Sequence, residues 1–176
     1  MGKIVYESPW KSMKIEEDYF KVRGKTMKNF RIVKPDSVVI LPFLDKNTII
    51  MEKQFRFALN RKIYELPAGS IEPGENKIKA VQRELSEETG YFPKKVRFLF
   101  SSWSNPAIMT NTEYFYVASD LVGTKNDPDE SEIIQPLNIR FNDALEMAYS
   151  GRIMDTKTIV ALLFYKTHSK GNIKGG

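Results

Sequence analysis

The chain has 176 residues, 41% hydrophobic and 28% charged, which suits one folded domain that can bury its own core. It has no cysteine, which excludes a disulfide framework, thiolate catalysis and cysteine-based zinc sites. Its net charge is +5, from 27 Lys+Arg against 22 Asp+Glu, with the lysines spread along the chain, so no specific nucleic-acid partner is expected and a basic surface for a small anion is.

The start has no apolar core of signal-peptide length, and no run approaches a membrane span. The expectation is a cytoplasmic protein with no membrane partner. Residues 4–33 alternate charged and bulky side chains and predict antiparallel strands. Two apolar runs, 37–43 and 48–53, flank the turn-prone Leu-Asp-Lys-Asn and predict a β-hairpin. A short strand is expected at 62–65, ended by Leu-Pro-Ala-Gly. Residues 76–89 change period: Ile78, Val81 and Leu85 form a helical stripe, Gly90 stands where a left-handed cap is wanted, and Pro93 prevents continuation. Strands resume at 96–103 and 113–121. A polar acidic loop follows, then an extended segment at 133–141. Helices are expected at 142–150, stopped by Gly151, and at 155–167, with Asp155 as N-cap. Residues 170–176 read as a frayed tail. The mixture predicts a layered α/β domain.

The chemistry concentrates in the central helix. At about 100° per residue, Glu84 and Glu88 lie one above the other, roughly 6 Å apart along the axis, with Glu87 beside them. Like charges at this spacing cost a helix a few tenths of a kcal/mol, roughly, a cost best tolerated on a solvated face or around a cation. Arg83 can pair with Glu87, which leaves Glu84 and Glu88 as the pair for a hard ion. Mg²⁺ suits them, because it takes oxygen ligands, keeps several waters and bridges to phosphates.

The segment Gly69–Tyr91 resembles the Nudix box, G-x5-E-x7-R-E-U-x-E-E-x-G-U, where U is a bulky aliphatic. Gly69, Glu75, Arg83, Glu84, Leu85, Glu87, Glu88 and Gly90 match it; Tyr91 departs from the final aliphatic position. The resemblance implies an αβα sandwich with a mixed sheet and N-terminal antiparallel strands. It also implies metal ligation by Glu84, Glu88 and the Ala68 carbonyl, with Glu87 in support. Gly69, Glu75, Arg83 and Gly90 would then hold the geometry of the box.

Further stretches resemble ADP-ribose pyrophosphatases: EKQFRFALNRKIYELPAGSIEPGE, SNPAIMTNTEYFYVASDL and SGRIMDTKTIVALL. That likeness assigns substrate binding to Arg56, Glu65 and Glu113. It places a catalytic glutamate in the loop 127–132, with Glu130 and Glu132 as candidates and Glu132 preferred. It implies a homodimer in which the strands of residues 1–36 reach a partner, with Trp10, Tyr19 or Phe20 available to stack on a base. The activity implied is Mg²⁺-dependent hydrolysis of ADP-ribose to AMP and ribose 5-phosphate, with Mn²⁺ as a substitute ion. Alternatives are another nucleoside diphosphate substrate (NADH, ADP-glucose, GDP-mannose or a dinucleoside polyphosphate) or a non-catalytic nucleotide-binding module. The only histidine, His168, reads as a surface residue, which argues against a Ser-His-Asp triad.

Overall fold

The computed structural model describes residues 2–9, 13–125 and 133–168. Strands β1 (Lys3–Glu7), β2 (Lys14–Val22) and β3 (Lys25–Val33) form an antiparallel sheet in that order. Its connection to the body runs through Ile32, whose N–H donates to the Ile108 carbonyl at 2.7 Å and whose carbonyl accepts from Thr110 N–H at 3.1 Å.

Two further sheets make the body. One holds β7 (Ala68–Ser70), β4 (Ser37–Pro42), β9 (Glu113–Gly123) and β8 (Tyr91–Ser102) in the order β7-β4-β9-β8. Here β4 and β9 are parallel, and the other pairs are antiparallel. The other sheet holds β5 (Thr48–Arg56), β6 (Arg61–Glu65) and β10 (Ile134–Arg140) in the order β10-β5-β6. The helices are α1 (Lys77–Thr89), α2 (Phe141–Tyr149) and α3 (Thr156–His168).

The alternation of side chains along β4 and β9 explains the layers. Val38 and Ile40 of β4, with Tyr116 and Ala118 of β9, pack on Ala80, Val81 and Leu85 of α1. Val39, Leu41, Phe115 and Val117 face the other way, onto Ile49 and Met51 of β5, Ala144 and Leu145 of α2, and Ala161 and Leu162 of α3. Successive strand residues point to opposite faces, so a continuous apolar run is buried on both sides. Burying Val81 and Leu85 stabilises α1 by about 1.5–3 kcal/mol each. The result is the expected α/β sandwich with helices on both faces.

Three expectations need correcting. The runs 37–43 and 48–53 do not form a hairpin. After the single bridge Phe43–Ile49 the chain turns from one sheet to the other, and β4 pairs with β7 and β9 instead. Strand β8 begins at Tyr91 and not at residue 96, because it is an edge strand and tolerates Pro93, which has no N–H to donate. Ile78 is 42% exposed, and Ala80 fills the buried stripe beside Val81 and Leu85.

Candidate active site

Helix α1 is capped at both ends. The Asn76 side chain accepts from Lys79 N–H at 2.9 Å, and Gly90, at φ 74°, donates its N–H to the Ser86 carbonyl. Arg83 ties the helix to the loop before it. Its Nε and Nη2 donate to the two oxygens of Glu75, each at 2.9 Å, and Nη2 also reaches the Ser70 carbonyl. This guanidinium holds the Glu75 carboxyl below its ordinary value, and Glu75 in turn raises the pKa of Arg83. These contacts tie α1 to the loop before it. Arg83 does more than pair with Glu87 at 3.2 Å: its Nη1 also lies 2.9 Å from Glu84 Oε1.

Glu84 and Glu88 lie on the buried side of α1. Glu88 Oε2 accepts from Ala68 N–H at 3.1 Å, which joins α1 to β7. Gly69 is needed for close approach, because a Cβ there would collide with the Glu84 carboxylate. Ala68, Gly69, Glu84, Glu87 and Glu88 line one wall of a cavity of about 470 Å³.

Lys34, Arg56, Glu113 and Lys157 also line this cavity. Arg56, at the end of β5, grips Glu65 of β6 with a two-pronged ion pair, Nε to Oε1 at 2.6 Å and Nη2 to Oε2 at 2.8 Å. Glu65 is 1% exposed and sits behind Arg56, off the cavity lining. Glu52, also buried, stands directly across the β5–β6 ladder from Glu65. Glu113 opens β9 beside Ser37 of β4. Burial raises its carboxyl pKa, against the pull of Lys157 and Lys34.

Lys157 is the residue that sequence reasoning missed. Its Nζ lies 2.8 Å from Asp155 Oδ1 and 3.5 Å from Glu65 Oε2. Burial works to discharge it, but Asp155 foremost, then Glu65 and Glu113, outweigh that and hold its pKa above the ordinary value. Lys34 was missed as well. Each lines the cavity only through tertiary folding, Lys34 from just after β3 and Lys157 from the first turn of α3.

The structure thus gathers Ala68, Gly69, Glu84, Glu87, Glu88, Arg56 and Glu113 around one cavity. Glu130, Glu132 and Trp10 lie outside the described residues. Tyr19 and Phe20 are exposed on the N-terminal sheet, and His168 is exposed, as expected.

The donor set fits a divalent cation, because glutamate oxygens are hard ligands grouped on one wall. Among the described residues, no three acidic or histidine side chains form a ready-made cage. An ion that keeps most of its waters needs only one or two carboxylates.

No helix among the described residues is long and apolar enough to cross a membrane. The fold is shared with a crystal structure of an ADP compounds hydrolase, at a TM-score of 0.84 and 21% identity over 98% of this chain and 93% of that one. In sequence the chain is 34% identical over 150 residues to the ADP-ribose pyrophosphatase of Bacillus subtilis (strain 168), covering 84% of this chain and 81% of that protein. It is 30% identical over 175 residues to the methanol dehydrogenase activator of Bacillus methanolicus, covering 93% and 95%. Residues 33–153 match the NUDIX domain, and with Glu84, Glu87 and Glu88 all present on the cavity wall the chain belongs to the Nudix family.

Proposed function

We propose that this Nudix hydrolase cleaves the pyrophosphate bond of ADP-ribose, releasing AMP and ribose 5-phosphate, with Mg²⁺ as its cation and Mn²⁺ as a substitute. The observation that carries the reading is that one cavity is lined by charges of both signs: the carboxylates Glu84, Glu87 and Glu88 of α1, and the cations Lys34, Arg56 and Lys157. A diphosphate bridged to a cation has the complementary pattern. The likeness to the Bacillus subtilis enzyme supports ADP-ribose as the particular substrate.

Glu84 and Glu88 would hold the ion, with the Ala68 carbonyl. When bound, a divalent cation neutralises phosphate oxygens and makes a coordinated water more acidic. Arg56, its planar fork fixed by Glu65, presents positive charge to the phosphates. Water oxygen bonds to one phosphorus, the bridging P–O bond breaks, and the bridging oxygen departs with the other phosphate. The water's proton passes to a loop glutamate, Glu132 or Glu130. Glu113 helps hold the substrate.

The chain is read as one domain over residues 1–176, with 1–36 as a dimerisation arm. Ile4, Val5, Tyr6, Tyr19, Phe20, Val22, Met27 and Phe30 are each between 43% and 59% exposed on the N-terminal sheet, which leaves apolar side chains in solvent on both of its faces. A symmetric homodimer would cover them. A monomer in sedimentation at micromolar concentration would remove this part of the reading.

The function is tested by incubating the protein with Mg²⁺ and, separately, ADP-ribose, NADH, ADP-glucose, GDP-mannose and a dinucleoside polyphosphate, then separating products by chromatography. Preferred release of AMP and ribose 5-phosphate from ADP-ribose is expected. Indifference to ADP-ribose with vigorous cleavage of another compound would overturn the assignment.

A further inference from the structure

We propose that the face of the β10-β5-β6 sheet turned away from Glu65 carries a second binding site, for a phosphate-bearing anion, formed by Lys53, Tyr64 and Arg152. Successive residues of β6 point to opposite faces, so Tyr64 lies on the other side of the sheet from its neighbour Glu65. Lys53 stands directly across the β5–β6 ladder from Tyr64 and shares its face. Lys53 Nζ lies 5.6 Å from the centre of the Tyr64 ring, and Arg152 Cζ lies 5.2 Å from it. Arg152 Nη2 also donates to the Tyr64 hydroxyl at 3.2 Å. Two cations therefore converge on one ring.

Their charge has no local counterweight. Arg56, Arg83, Arg140 and Lys157 each have a carboxylate partner. Among the described residues, Lys53 and Arg152 form no ion pair with a carboxylate, although Lys53 is half-buried. The negative face of the ring offsets part of the repulsion between them, and an anion held by both offsets the rest. Tying the turn before α3 to β6 needs only Arg152 and its hydrogen bond to the hydroxyl. Lys53 adds like charge at the same place, which suits an anion and not a structural tie. Beside the ring opens a cleft of about 560 Å³, with Leu137, Arg140, Met147 and Arg152 in its lining. Cations joined to apolar side chains fit a phosphate carried on an organic group. Among the described residues this cleft shares no lining residue with the cavity of Glu84 and Glu88, so the inference stands apart from the diphosphate reading.

The test uses the full ¹⁵N-labelled chain without metal, titrated separately with inorganic phosphate, ribose 5-phosphate, AMP and adenosine. The backbone signals of Tyr64, Leu137 and Arg152 should move with each phosphate compound and stay still with adenosine. Lys53→Gln and Arg152→Gln should each weaken that binding by about tenfold or more, the loss of one charge-assisted contact, while Arg152→Lys keeps most of it. Lys34→Gln, which removes a cation of the other cavity, should leave it within about twofold. Whichever phosphate compound binds most tightly names the source of the ligand. Stillness of these signals with every phosphate compound would overturn the proposal, as would an equal response to adenosine, or binding that Lys34→Gln weakens and Arg152→Gln does not. Should Arg152→Gln not fold, the unaltered chain decides: the Arg152 Nε signal must move on adding phosphate, and a still signal overturns the site.

Discussion

Gly69 and Glu84 compete for the same space: a Cβ added to the glycine would collide with the glutamate's carboxylate. The box glycine is therefore a requirement of the acidic wall and not of a turn. Gly69→Ala should move Glu84, whose carboxylate is the flexible end of a side chain, more than it moves the backbone. The stability cost should stay near the lower end of about 1–3 kcal/mol. On the proposal that Glu84 holds the ion, misplacing its carboxylate by the width of a methyl group should cost about 100-fold in kcat/KM. Steady-state kinetics beside a thermal melt check this, and near-normal turnover would show that Glu84 need not sit where it does.

Arg56 and Glu65 should be coupled in stability as well as in function. Their two-pronged pair is half exposed on the arginine side and buried on the carboxylate side. Arg56→Leu removes the nearer cation from buried Glu65 and leaves Lys157 at 3.5 Å, so it should destabilise more than loss of a surface pair would. A double-mutant cycle of Arg56→Leu and Glu65→Leu, read by urea unfolding, should return a coupling of about 1–3 kcal/mol. Additive effects would mean the pair contributes nothing beyond its parts.

Much of this was legible in the chain before its structure, and the failures have physical causes. Helix α1 could be read because two signals agreed, the apolar period and Gly90 at its end; the Asn76 cap is a finding of the structure. The hairpin misreading arose because a tight turn between apolar runs looks the same whether the runs pair or diverge into two sheets. Pro93 misled because a proline stops a helix but not an edge strand. Glu65 was placed at the substrate, whereas the structure sets it behind Arg56 as its anchor. Lys157 gave no local signal, since its place comes from a tertiary contact: its Nζ lies 3.5 Å from Oε2 of Glu65 in β6, far away in the chain.

Glu113 predicts a pH dependence. Burial raises its folded-state pKa above the ordinary 4.5. Between those two values the folded protein holds more protons than the unfolded chain, so stability falls as pH rises through that window. The penalty is absent below 4.5 and complete above the folded-state pKa. Glu113→Gln, which mimics the protonated acid, should melt higher than the unaltered protein at neutral pH, and the gap should close on acidification. The same variant should lose affinity for substrate, as a site residue that costs stability commonly does. A gap that widens on acidification would contradict the raised pKa.

Glu88 offers the sharpest separation of fold from chemistry. Its Oε2 accepts the Ala68 N–H at 3.1 Å, and a glutamine can accept the same bond with the same shape but no charge. Glu88→Gln should therefore melt close to the unaltered protein. Turnover at saturating Mg²⁺ should fall by about three orders of magnitude, because ion-based charge stabilisation is worth several kcal/mol. Glu87→Gln is the comparison. Its side chain is 42% exposed and its ion pair with Arg83 spans 3.2 Å, so its loss should be much smaller. Manganese titration of both variants locates the ligand: weakened binding in Glu88→Gln with near-normal binding in Glu87→Gln is expected. Equal turnover in the two would mean that burial against β7 does not distinguish the ion's holder from its neighbour, and the assignment of Glu88 would fall.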